Sequence, residues 1–331
     1  MCFLSLEHLR LRNSKIVKTK YDPTPAEVDK FTEAGFVLKS EGKMSKRAIG
    51  VASAVISAVV FGMVPLFMKT VTAGGGTTLS GAFYRFALSL PFLFAVIKYK
   101  KIPMDITKQE FLKICLITLF GYGGTAVLLF SSYNFIPTGM STTIHFVYPV
   151  FTILGCIVFL KEQVRPLKIF CAALCMCGIL LFYNGDSEAS LPGIGLAFLS
   201  GITYAFYIIY LKKGGLQDMD TIKLIFYMNS VAAVMIFIMA LASGSFTVHM
   251  TGNAWVTAVV FAALISLVGV FGFQLGVKYV GPESAAILST FEPITSVIIG
   301  ILAYNEEFSP KTLAGCPCIL SSVIIVARIK E

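Results

Sequence analysis

The chain has 331 residues, 56 % of them from the set Ala, Val, Ile, Leu, Met, Phe, Trp, Tyr and Cys, and a mean hydropathy of +0.81. Charged residues make up 14 %, against about 25 % in an ordinary soluble chain; this excludes a disordered chain and leaves too little polar surface for a water-soluble globule. The net charge of +9 has no soluble basic domain to direct it to nucleic acid, so nucleic acid is excluded as a partner and the charge is read as membrane topology.

Residues 1–43 form a mixed-charge tail around Tyr21-Asp22-Pro23-Thr24-Pro25 without a spanning run, expected to be a cytoplasmic, weakly ordered and dispensable segment. Met1–Leu11 is too short and too charged for a signal peptide. A short helix from Thr24, with Pro25 in its first turn, and a natural beginning at Met44-Ser45-Lys46-Arg47 are both open readings. A bilayer core of about 30 Å takes about 20 apolar residues in a helix. Ten such runs follow, at 47–71, 79–97, 111–133, 138–160, 167–183, 192–211, 221–243, 254–276, 282–304 and 311–328. Connections are short, so neighbouring helices are antiparallel.

Basic residues sort by side. With a cytoplasmic N-terminus, the inner segments 1–47, 98–113, 161–168, 212–223, 277–281 and the C-terminal end hold 10, 5, 3, 3, 1 and 2 Lys and Arg, 24 of the 27. The outer loops 72–78, 134–137, 184–191, 244–253 and 305–311 hold one, Lys311. This positive-inside bias predicts a multi-pass protein of the cell membrane with both termini cytoplasmic. Seven of the eight cysteines fall in apolar runs. Cys175-Met176-Cys177 and Cys316-Pro317-Cys318 lack zinc spacing and nearby His, so they read as packing residues. No metal or other cofactor is expected.

Sliding the chain against itself by 144 residues brings Tyr148-Pro149 onto Glu292-Pro293, Glu162 onto Glu306, Pro166 onto Pro310 and Ile136 onto Val280. Met44 to Glu331 is 288 residues, twice that offset, which divides the chain into repeats at 44–188 and 189–331. Five spans per repeat is odd, so the second repeat enters the membrane from the opposite side. The predicted fold is an all-α integral membrane protein, ten transmembrane helices as two inverted five-helix repeats, an architecture that supports alternating access.

Two stretches carry a family resemblance: Pro137-Thr138-Gly139-Met140-Ser141 through Tyr148-Pro149 to Leu160-Lys161-Glu162, and Gly281-Pro282-Glu283-Ser284-Ala285-Ala286 through Phe291-Glu292-Pro293 to Asn305-Glu306-Glu307. In this double arrangement the chain resembles the EamA family of the drug/metabolite transporter superfamily over about 44–331. The resemblance implies ten spans, a central cavity open alternately to each side, peripheral fifth and tenth spans, and export or exchange of small metabolites. Tyr148 stands where that motif often has Glu.

Ionisable groups deep in a span are costly and mark functional candidates. Glu292 lies near the middle of the ninth span on a face with Ser289 and Ser296 at helical spacing; it is read as a proton carrier or a contact for a cationic substrate group, with a structural carboxylate as the alternative. His145 and Tyr148 share a face of the fourth span and are the repeat mates of Ser289 and Glu292. Arg85, beside Tyr84, can pair with Glu292 or meet an anionic substrate, or it can be structural. Pro149 and Pro293 are read as helix kinks that free the carbonyls of His145 and Ser289. Tyr204, Phe206, Tyr207 and Tyr210, with Phe271, Phe273 and Gln274, are candidate cavity residues, packing being the alternative for each. Gly272 and Gly276 read as close helix packing.

The leading reading is a secondary transporter for a small metabolite, amino acid or drug-like compound, directed to efflux, with a small-molecule substrate and the lipid bilayer as partners and a homodimer left open. A nucleotide-sugar or phosphate exchanger of the same fold would need several inward Lys or Arg, and only Arg85 qualifies. A lipid-metabolism enzyme would need a polar cluster at one interface, which the loops do not show. No P-loop, H-E-x-x-H or G-x-S-x-G is present, so no enzyme is predicted. A non-transporting membrane protein would have no reason for a central polar group inside a paired repeat.

Overall fold

Helix starts coincide with polar residues that accept the first free backbone N–H groups. Ser45 accepts from Ala48 N at 3.1 Å, Thr77 from Ser80 N at 3.0 Å and Asp220 from Lys223 N at 3.0 Å. Thr107 and Glu110 form a reciprocal capping box, with Thr107 N donating to Glu110 Oε2 at 2.7 Å and Glu110 N to Thr107 Oγ1 at 3.2 Å. The computed structural model describes residues 45–136, 138–181, 190–304 and 310–329. The 1–43 tail, Pro137 and Asn305-Glu306-Glu307 therefore lie outside the described residues.

Among those residues the structure is entirely helical. In chain order we label α1 Lys46–Ala73, α2 Thr78–Lys100, α3 Lys108–Ser132, α4 Met140–Phe159, α5 Pro166–Leu180, α6 Leu191–Lys213, α7 Thr221–Ala242 and α8 Gly252–Val280. The ninth predicted span comprises α9a Pro282–Leu288 and α9b Glu292–Tyr304, and α10 is Pro310–Arg328. Seven of these, α1 to α4 and α6 to α8, are long and apolar enough to cross a membrane. Large apolar side chains such as Phe120, Val158, Val256 and Leu302 are exposed, a surface suited to lipid rather than water.

Several helices are interrupted. α3 carries a π-helical segment at Thr118–Tyr122 and α8 one at Ile265–Val270. α4 breaks between His145 and Tyr148, and a short 3₁₀ turn at Ser289–Phe291 separates α9a from α9b. The kinks expected at Pro149 and Pro293 thus take the form of breaks one turn earlier. Each proline sits second in a restarted helix, where its missing N–H costs nothing. The carbonyl of Ser289 is not free, because the Glu292 N–H donates to it.

Glycines permit the closest helix contact. A Cβ on Gly272 would lie 2.7 Å from Ser53 O and one on Gly276 2.9 Å from Ala54 Cβ, so α8 lies directly against α1, as the spacing predicts. Ser57 Oγ donates to Gly269 O across the same contact at 2.7 Å. α5 and α10 pack on one another, with Ser322 Oγ donating to Cys171 O at 2.7 Å.

Candidate functional site

The two helix breaks meet. Tyr148, first residue after the α4 break, and Ser289, at the α9 break, share a hydrogen bond of 2.6 Å between their hydroxyls. Ser289 also donates to Ala286 O at 2.9 Å, so the Tyr148 proton goes to Ser289. Both residues are buried.

His145 closes the other side of the α4 break. The Ser200 hydroxyl donates to Ala197 O at 2.6 Å, which leaves its oxygen to accept from His145 Nδ1–H at 2.8 Å. In a neutral imidazole the acceptor lone pair is then on Nε2. The ring stands 5.2 Å from Tyr148 and 5.4 Å from Tyr204 between centroids. Gly201 makes this approach of α6 feasible, since a Cβ there would lie 2.7 Å from His145 O. On the opposite half, a Cβ on Gly62 would lie 2.8 Å from Glu292 O, and Ser296 Oγ donates to Gly62 O at 2.9 Å. Each break is therefore backed by a glycine from the other half of the chain.

The aromatic candidates divide. Tyr204 stacks on Tyr207 at 5.6 Å, and Phe273 lies 5.7 Å from Tyr204 and 6.2 Å from Tyr207. Gln274 Nε2 donates to Tyr207 Oη at 3.1 Å. Together with His145 and Tyr148 these form a continuous aromatic wall. Phe206 and Tyr210 pair with each other at 5.3 Å, and neither has a ring contact with the wall. Tyr84 is elsewhere too. Its hydroxyl donates to Thr247 O at 2.8 Å and its ring stands 4.7 Å from Trp255, in the cluster under the α7–α8 connection.

Glu292 opens α9b, part-exposed; its backbone N–H is bonded to Ser289 O, while its carboxylate makes no hydrogen bond or ion pair among the described residues. Arg85 is near enough for the two charges to interact, yet the ion pairs among the described residues are Lys168–Glu283 and Lys212–Glu162. The Arg85 guanidinium instead sits among aromatic rings, nearest Phe86 at 4.9 Å.

Two groups of residues were missed by sequence reasoning. Asn229, fully buried in α7, joins both π-helical segments: it accepts from Tyr122 Oη at 3.1 Å and donates to Ser266 Oγ at 3.0 Å and Ser89 Oγ at 2.7 Å. A lone Asn inside an apolar span was the available signal. The second group lies at the other end of α9a. Lys168 Nζ meets Glu283 Oε1 at 2.8 Å with both side chains buried, Cys156 Sγ lies 3.9 Å from Glu283 Oε2, and Lys212 pairs with Glu162. Cys156, Glu162 and Glu283 could gather a metal ion by position, but two lysines already neutralise the two carboxylates.

Residues 48–184 and 191–328 each match the EamA-like transporter family. An uncharacterized transporter of Archaeoglobus fulgidus is 27 % identical over 290 residues, covering 84 % of this chain and 96 % of that one. Mouse solute carrier family 35 member G1 is 23 % identical over 86 % of this chain and 80 % of its own. The S-adenosylmethionine uptake transporter of Rickettsia bellii is 24 % identical over 74 % of this chain and 82 % of its own. A solved crystal structure superposes with a TM-score of 0.72 at 15 % identity, covering 87 % of this chain and 98 % of the other, a likeness of fold. Two family matches in tandem over an all-helical bundle with spanning helices make this chain a member of the EamA-like transporter family, a multi-pass membrane transporter.

Proposed function

We propose that the protein is a secondary transporter that moves a small metabolite, amino acid or drug-like compound outward across the cell membrane. On this reading 44–188 and 189–331 are inverted repeats that rock about a central site, and both termini are cytoplasmic. The observation that carries it is the 2.6 Å hydrogen bond between Tyr148 and Ser289, which ties the broken fourth and ninth spans of opposite halves beside the unpaired carboxylate of Glu292. Discontinuous helices at membrane depth are where transporters of repeat architecture hold substrate and coupling ions.

Glu292 is the coupling residue in this scheme. An ionised carboxylate at that depth costs on the order of 2.5–3.5 kcal/mol on insertion scales, so it carries a proton or meets the substrate during part of the cycle. His145, through Nε2, and Tyr207 with Gln274 offer hydrogen bonds to a substrate against the aromatic wall. Tyr84, being bound to the Thr247 carbonyl, drops out of the proposed site. The relative named for uptake makes direction a quantity to measure.

Purified protein in proteoliposomes, screened by counterflow against a metabolite panel, tests the function. Glu292→Gln should keep substrate exchange, which moves no net proton, and lose pH-driven accumulation. Loss of exchange as well would make Glu292 a substrate contact. Full gradient-driven transport by Glu292→Gln at every pH would remove Glu292 from the mechanism.

A further inference from the structure

Arg85 is 6 % exposed, and its Nε is buried without a hydrogen-bond partner. Its guanidinium carbon lies 4.9 Å from the Phe86 ring centroid, 5.8 Å from Phe130, 5.9 Å from Tyr122 and 6.0 Å from both Phe61 and Phe261. Those rings come from α1, α2, α3 and α8, so the cage draws on both halves of the chain. Aromatic faces attract a cation, but they leave its in-plane N–H groups without strong acceptors.

The surrounding polar groups do not supply the missing charge. The Tyr122 hydroxyl gives its proton to Asn229 Oδ1, and the Asn229 amide is bonded to Ser89 and Ser266. That network is neutral and reaches the guanidinium through the Tyr122 hydroxyl oxygen, an uncharged acceptor, so it supplies no anion. Glu292 is close enough to feel the Arg85 charge, but the two make no ion pair. A buried cation in this state is stabilised most by an anion that can take a planar, two-pronged hydrogen bond, which is the geometry a guanidinium presents to carboxylates and phosphates.

We propose that the caged Arg85 guanidinium is the subsite for an oxyanionic group of the transported molecule. The rings fix the plane of the fork and exclude water, and the anion completes it. The substrate class is accordingly a small molecule bearing a carboxylate or a phosphate. This rests on the reading of the central region as the transport site and names the chemistry it selects.

The test is binding, measured apart from transport. Purified protein in detergent is titrated with benzoate, phenyl phosphate, benzamide and chloride, and the melting midpoint is followed. Benzoate or phenyl phosphate should raise the midpoint in a saturable way, and the larger effect identifies the preferred oxyanion. Benzamide, of similar shape and no charge, should leave it unmoved. Arg85→Lys, which keeps the charge and loses the fork, should weaken oxyanion binding roughly tenfold, and Arg85→Gln should abolish it. If Arg85→Gln fails to fold, Arg85→Lys decides alone. A response to chloride only, no response to either oxyanion, or equal binding in wild type and Arg85→Lys would overturn the proposal. Oxyanion binding that depends on Arg85 in a protein whose transport ignores Glu292→Gln would uphold this subsite while rejecting the coupling scheme. The reverse pattern would uphold the coupling scheme and reject the subsite.

Discussion

Replacing Lys168 by Met isolates the buried ion pair below α9a. The Lys168 and Glu283 side chains are 5 % and 10 % exposed and meet at 2.8 Å. At an effective dielectric constant of about 20 this contact corresponds to about 6 kcal/mol of attraction, most of it offset by desolvation of both groups. Lys168→Met removes the attraction and leaves the desolvation of Glu283 uncompensated, with Cys156 Sγ at 3.9 Å and the Glu162 carboxylate within 4.8 Å as neighbours that offer no positive charge. The expected loss is about 3–5 kcal/mol. Glu283→Gln added to Lys168→Met removes the stranded charge and should recover most of it. The Lys212–Glu162 pair is the internal comparison: its side chains are 35 % and 28 % exposed, so water screens it and Lys212→Met should cost no more than about 1 kcal/mol. Reversible unfolding of purified protein in mixed micelles gives all three values. Equal, small losses for Lys168→Met and Lys212→Met, or no recovery in the double variant, would refute the argument from burial.

Three further outcomes are expected. Gly272→Ala places a Cβ 2.7 Å from the Ser53 carbonyl oxygen, which cannot swing aside, and should cost about 1–3 kcal/mol in the same unfolding measurement. Asn229→Ala strands the Tyr122 hydroxyl and unties both π-helical segments, at a cost of about 1–3 kcal/mol; Asn229→Asp, which keeps the acceptor for Tyr122, should transport better than Asn229→Ala in a counterflow assay. Topology is read by thiol labelling of intact cells. Ser243→Cys should react from outside and Asp218→Cys should not, both positions being exposed.

The amino-acid order alone specified the helical class, the stations of the helices and the family. Runs of about 20 apolar residues have few ways to satisfy their backbone in lipid, and polar caps such as Thr107 and Asp220 fix where helices begin. The 144-residue offset pairs Tyr148-Pro149 with Glu292-Pro293 from sequence alone, because prolines and polar groups inside apolar spans are rare enough to mark the register. Which of those groups touch was decided by tertiary structure. Tyr148 bonds Ser289 across the two halves where both spans break just before their prolines, next to the close approaches of Gly201 and Gly62, and no local pattern encodes that meeting. Tyr84 and Arg85 are adjacent in sequence yet point to different neighbourhoods, one to the Thr247 carbonyl and one into a cage of rings from four helices. The burial of Lys168 against Glu283 was equally illegible: each looks like a residue at a helix end facing water, and only the packing of α5 beneath α9a removes that water.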